Sequence, residues 1–135
     1  MIVLDTNIVL DVLVFRDPAT QPLQQALHSG QRRWIATPAM REELARVLAY
    51  PQIAARLVFH QRAADAVLAD FDRWSQVSGP APKAPVTCKD ADDQKFIDLA
   101  VAHRCELLSK DHAVLSMARR LQPLGVRAAA ALRPG

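Results

Sequence analysis

Cysteine is scarce in this chain, with two thiols, Cys88 and Cys105, in 135 residues. Neither belongs to a CxxC pair, and no zinc-ligand spacing links them to His28, His60, His103 or His112. They read as buried or idle thiols. Long apolar runs are missing too: no stretch approaches the ~20 residues of a membrane-spanning helix, so no membrane partner is expected. The apolar start has no basic leader and no small-residue cleavage site before it meets Asp5. That argues against a signal peptide and makes the cytoplasm the expected location. Internal repeats and low-complexity tracts are absent. What remains is ordinary globular material, half hydrophobic and 23% charged, with the length of a single domain spanning 1–135.

Acids are fewer than bases, giving a formal net charge of +3. Their distribution says more than the total. Thirteen of the seventeen cationic residues are Arg, scattered from Arg16 to Arg133, whereas Asp90, Asp92, Asp93 and Asp98 crowd together. A genome rich in G and C also yields many arginines. The alternative is a basic surface around an acidic pocket, the arrangement by which a metal-dependent nuclease holds a polyanion.

The chain opens Met1-Ile2-Val3-Leu4-Asp5-Thr6-Asn7. The short apolar run predicts a buried parallel strand over 1–4, central in its sheet, with Thr6 or Asn7 capping a helix that runs to Leu13. Pro18 opens a second helix ending near Gly30, and Trp34-Ile35-Ala36 is the second strand. Thr37 and Pro38 start a helix with Met40, Leu44, Val47 and Leu48 on one face and Glu43 beside that stripe. Pro51 stops it. A shorter helix covers 53–59, and a long amphipathic one carries Ala64, Val67, Leu68, Phe71 and Trp74. Asp65, Asp70 and Asp72 fall mostly off that face, as solvated charges. Residues 79–85, rich in proline, form a stiff extended connection too short to divide domains.

Residues 86–88 read as a brief strand or an extended segment. The aspartate-rich stretch then leads into a helix with Phe96, Ile97, Ala100 and Val101 inward. Cys105 to Ser109 supplies another strand, 114–121 a helix, and 126–132 a last edge strand. Strands alternating with helices of these lengths make an α/β fold with a mostly parallel sheet.

In a parallel sheet, strand ends of one kind share one edge, so Asp5 and Asp111 can converge there. Asp93, in the first turn of its helix, and Glu43 can point to the same edge. Four carboxylates without matching cations repel one another and raise each other's pKa values, and a divalent ion removes that difficulty. Oxygen-only ligands favour Mg²⁺ or Mn²⁺. Taken singly, each acid has a plainer account: Asp5 a strand-ending cap, Asp90 and Asp92 helix caps, Glu42 a solvent-facing charge, Asp98 structural, Asp11 a support behind the site. Their joint placement points to chemistry.

Leu4-Asp5-Thr6-Asn7, Glu43-Leu44 with Val47-Leu48, Asp90-Ala91-Asp92-Asp93-Gln94-Lys95-Phe96 and Leu108-Ser109-Lys110-Asp111 resemble, in this order, the PIN domain. This is the small metal-dependent ribonuclease fold found in many bacterial toxins of the VapC type. The resemblance covers nearly the whole chain and implies a three-layer α/β/α sandwich, Rossmann-like, with carboxylates at one end of the sheet. It implies Asp5, Glu43, Asp93 and Asp111 as catalytic and metal-holding acids, supported by Thr6, Asn7 and Ser109. Ser109 stands where Thr is usual and keeps the hydroxyl. Gln94 stands where an acid is common, which bears on the choice between Asp92 and Asp93; counting back from Ala100 selects Asp93.

The implied activity is endonucleolytic hydrolysis of RNA by a toxin component of a type II toxin–antitoxin system. A small antitoxin protein would block the pocket, and a homodimer is a further family trait. Setting the four site acids aside leaves the rest of the chain at +7, which suits phosphate binding, with Lys110 as the candidate contact. Glu43 can ligate metal or take a proton from water. Two other classes stay open. A phosphoacceptor signalling domain needs an acceptor Asp at the end of a middle strand, and Trp34 to Thr37 offers none. A non-catalytic binding module would keep the acids but show no Mn²⁺-dependent cleavage. A haloacid-type phosphatase needs an Asp where Asn7 stands.

Overall fold

The computed structural model describes residues 1–132. Its centre is a five-stranded, wholly parallel sheet in the order β3-β2-β1-β4-β5. The strands are β1 (Ile2–Leu4), β2 (Trp34–Ala36), β3 (Ser75–Val77), β4 (Glu106–Leu108) and β5 (Ala128–Ala129). As the unbroken apolar run requires, β1 is the middle strand and is buried on both faces. Its register sets Ile2 opposite Glu106 and Leu4 opposite Leu108, so β1 and β4 end level.

Eight α-helices among the described residues complete a three-layer α/β/α sandwich: α1 (Thr6–Leu13), α2 (Gln21–His28), α3 (Pro38–Leu48), α4 (Pro51–Phe59), α5 (Ala64–Trp74), α6 (Gln94–His103), α7 (His112–Leu115) and α8 (Ala118–Leu121). Proline sits in the first turn of α2, α3 and α4, where its missing N–H costs nothing and its fixed φ suits the helix. α1, α3 and α5 pack on one another, and α6 packs on β1 and β4. Met40, Leu44 and Leu48 are the buried stripe of α3, while Phe96, Ile97, Leu99 and Ala100 are that of α6. Trp34 meets Phe71 edge-on at 4.9 Å, locking β2 to α5.

Several sequence expectations are corrected. The second helix opens with a single 3₁₀ turn at Pro18–Thr20 before α2. Residues 86–88 are not a strand. Their backbone groups are met by side chains instead: Gln94 accepts from the Cys88 N–H and donates to the Val86 carbonyl. Lys83 Nζ also reaches that carbonyl. The sheet edge is taken by β3, which the sequence did not announce because an edge strand needs no apolar run. The helix expected over 114–121 is two short helices broken at Ser116 and Met117, with Met117 fully buried. The last strand is only Ala128–Ala129, not 126–132.

Candidate metal centre

Asp5 closes β1 and occupies the N-cap position of α1, yet its side chain makes no capping bond. The cap reading therefore fails. The Asp5 backbone N–H donates to the Leu108 carbonyl at 2.9 Å, continuing the β1–β4 ladder one step past the strands. That leaves the carboxylate, 4% exposed, turned toward the end of β4. There the Ser109 hydroxyl donates to Asp5 Oδ2 at 2.6 Å and accepts from the Asp111 N–H at 3.0 Å. Ser109 is completely buried. One hydroxyl thus ties two acids from adjacent strand ends.

Asp111 caps α7, accepting from the Ala113 N–H at 2.9 Å. Asp93 comes from a third direction, the 3₁₀ turn Ala91–Asp93 that enters α6. That turn is fixed by Asp90, whose carboxylate accepts from the Asp92 N–H at 2.9 Å, as expected of a cap. Asp92 is exposed and its side chain caps nothing, whereas Asp93 is 7% exposed. Asp5, Asp93 and Asp111 each offer an oxygen, and these atoms all lie within 4.8 Å of one another.

The electrostatics follow from that crowding. Burial is the largest cause that pushes Asp93 up to about 8, followed by the adjoining Asp111 carboxyl and the charge of Asp5. Asp5 is also raised, again mainly by burial, with Glu43 and Asp111 adding to it while Ser109 and the Thr6 N–H oppose it. Asp93 Oδ2 is buried with no hydrogen-bond partner. An orphaned buried carboxylate oxygen beside two further carboxylates is costly unless a cation meets it. The all-oxygen donor set fits a hard divalent ion.

Glu43 lies beside this triad, near enough for its charge to raise Asp5, and is held by two other groups. Its Oε2 accepts from the Thr6 hydroxyl, and its Oε1 receives Lys95 Nζ at 2.8 Å. The expectation of four acids without a matching cation is corrected: three gather, and the fourth is ion-paired. Lys95 reaches it from the first turn of α6 and also donates to the Asp92 carbonyl. Thr6 and Asn7 are engaged rather than capping; Asn7 Oδ1 accepts from the Lys110 N–H at 3.1 Å. The Lys110 ammonium is paired with the buried Asp11 carboxylate at 2.6 Å, so these two residues brace the loop after β4.

Gln94 and Lys95 belong to the motif read from the sequence, which assigned neither of them a contact. Gln94 holds Cys88 and Val86, and its Nε2 also donates to Asp98 Oδ1, which in turn accepts from the Ala84 N–H. Asp98 is structural, as expected. The spacing from Gln94 to Asp98, one helical turn, was the available signal. Cys88 and Cys105 are free and buried, and burial pushes both thiols up, Cys105 to about 11.

A family model described as PIN domain matches residues 1–113, a span that holds every acid of this site. No curated protein matches the chain.

Proposed function

The chain belongs to the PIN domain family, and on that premise we propose that it is a metal-dependent endoribonuclease of the cytoplasm, the toxin component of a type II toxin–antitoxin system. PIN domains are generally nucleases, and the acidic cluster is compatible with divalent-metal catalysis. The observation that carries the reading is the convergence of Asp5, Asp93 and Asp111 around a buried, unpartnered oxygen of Asp93.

Asp5, Asp93 and Asp111 would hold Mg²⁺ or Mn²⁺. Such an ion, when bound, supplies a more acidic water and stabilises charge on the phosphate. The chain's own part is positioning. Ser109 fixes the direction of Asp5 and, through the Asp111 N–H, the spacing of the two strand ends. Glu43, held at one oxygen by Thr6 and at the other by Lys95, is the fourth acid, as a proton acceptor or a further ligand. Lys95, paired with Glu43, and Lys110, paired with Asp11, are the ammoniums beside the site that can turn to an incoming phosphate. The basic surplus outside the site suits a polyanionic substrate.

The toxin role, a small antitoxin that covers the pocket and a homodimer rest on the motif resemblance. Co-expression with the product of an adjacent short reading frame tests them, through loss of cleavage and a change in assembly size.

The nuclease reading is tested by Asp5→Asn. This variant should fold as the parent does and lose Mn²⁺-dependent RNA cleavage by a hundredfold or more, on the order expected when a metal-holding acid is neutralised. Cleavage at the parent's rate by purified Asp5→Asn would place the activity elsewhere.

A further inference from the structure

The parallel sheet gathers side chains at its other edge as well. Parallel strands bring the residues just before them to one edge, as surely as they bring those just after to the other. Arg32 precedes β2 by two residues, Arg104 precedes β4 by two, and Arg127 precedes β5 by one. The edge opposite the aspartates is therefore entered through three arginines.

Two adjoining hollows open there, of about 430 Å³ and about 410 Å³, sharing Gly125 and Arg127 in their walls. Arg32 and Arg104 line the first, and Arg119 lines the second. Glu106, in the wall of the first, is the acid among their lining residues, and the second has none. Its carboxylate takes Arg32 Nε at 2.9 Å and Arg127 Nη1 at 3.4 Å, which holds those two guanidiniums together while cancelling a single charge. Arg104 and Arg119 have no ion pair among the described residues and are exposed.

Arg104 is also placed by the backbone. It ends α6 in the left-handed region, at φ 49°, an uncommon conformation for a non-glycine residue. Its side chain lies over Gly125, itself at φ 83°, where an added Cβ would come within 2.9 Å of Arg104 Nε. A glycine is required on both counts. The guanidinium is therefore held against a surface rather than waving free.

We propose that this groove is a second contact for RNA, taking its phosphodiester backbone at the edge of the sheet opposite the acidic centre. Guanidinium forks match phosphate oxygens. No Phe, Tyr or Trp lines either hollow, and His103 stands in the walls beside four arginines, so charge outweighs stacking surface and the contact is chiefly to the backbone, tolerant of sequence. From Arg104 to Asp111 the chain advances seven residues, at most about 23 Å when extended, and an RNA that reaches both edges must pass around the outside of the sandwich. The choice of RNA rests on the nuclease reading; the cationic groove does not.

The test measures binding without metal, by anisotropy of labelled single-stranded RNA on the full chain in chelator, over a range of salt. One oligonucleotide is long enough to reach both edges and the other is half as long. The pair Arg104→Gln with Arg119→Gln should weaken binding of the longer RNA by roughly tenfold and reduce the salt slope by about 1.4. Cleavage of the shorter RNA with Mn²⁺ should stay at the parent's level. The charge-keeping pair Arg104→Lys with Arg119→Lys should retain most of the affinity. Unchanged binding by the Gln pair overturns the inference, and so does an equal loss by the Lys pair. If affinity does not depend on length and inorganic phosphate displaces the RNA as well as unlabelled RNA does, the groove is a small-anion site and the inference fails. Failure of the nuclease reading would appear separately, as absent cleavage by the parent with Mn²⁺.

Discussion

Ser109 has more to hold than its size suggests. Its hydroxyl donates to Asp5 and accepts from the Asp111 N–H in a site with no exposure. Ser109→Ala removes both contacts and leaves polar groups unmet, so about 1–3 kcal/mol of stability should go, read by denaturant unfolding. RNA cleavage should fall as well, whereas Ser109→Thr should keep both. Asp93 makes a prediction of opposite sign. Its carboxyl is raised from 3.8 to about 8 in the fold, so it favours folding while protonated. That contribution is present at pH below about 4 and is lost as pH rises through the window to about 8. The metal-free protein should therefore lose melting temperature across that range. Asp93→Asn should flatten the loss, raise the metal-free melting temperature at pH 8 and abolish the response to Mn²⁺. A parent whose melting temperature rises from pH 5 to pH 8 in chelator would contradict this.

Among the elements, α6 does the most positioning. Its buried face of Phe96, Ile97, Leu99 and Ala100 seats it on β1 and β4, which sets the preceding turn, with Asp93, at the ends of those strands. Its first turn holds Gln94 and Lys95, which bind the loop before it and Glu43 of α3. Gln94→Ala should free residues 79–88 from their anchor. The expected result is faster proteolysis within that segment and hydrogen exchange raised at Cys88, with the sheet unaffected. If protection at Cys88 is unchanged, Lys83 rather than Gln94 holds the loop. The aspartate cluster also depends on α7, because Asp111 serves at once as its cap and as a site acid.

At the scale of the whole molecule, charge is divided along the strand direction. Asp5, Asp93 and Asp111 lie beyond the carboxyl ends of β1 and β4, while Arg32, Arg104 and Arg127 stand before β2, β4 and β5. A divalent ion that binds the folded chain alone must stabilise all of it. With Mn²⁺ at a hundredfold over its dissociation constant the gain is about 2.7 kcal/mol, seen as a rise in melting temperature that vanishes in Asp5→Asn. No rise in the parent at any Mn²⁺ concentration would remove the metal from the reading. Among the described residues no helix is long and apolar enough to cross a membrane.

The sequence by itself determined the alternation of strands and helices, the burial and central place of β1, and the choice of acids to watch. Each depends on local signals: an unbroken apolar run, a helical stripe, a proline in a first turn. It did not announce β3, whose residues Ser75, Gln76 and Val77 have no apolar pattern because an edge strand is half in solvent. Nor could it separate Glu43 from the triad. That depended on where Lys95 and Thr6 come to rest, across 52 and 37 residues of chain. Only the tertiary structure decided that Lys110 belongs to Asp11 and that Arg104 lies over Gly125. Pairings between distant charged groups are set by packing, because in sequence any cation is an equal candidate for any acid.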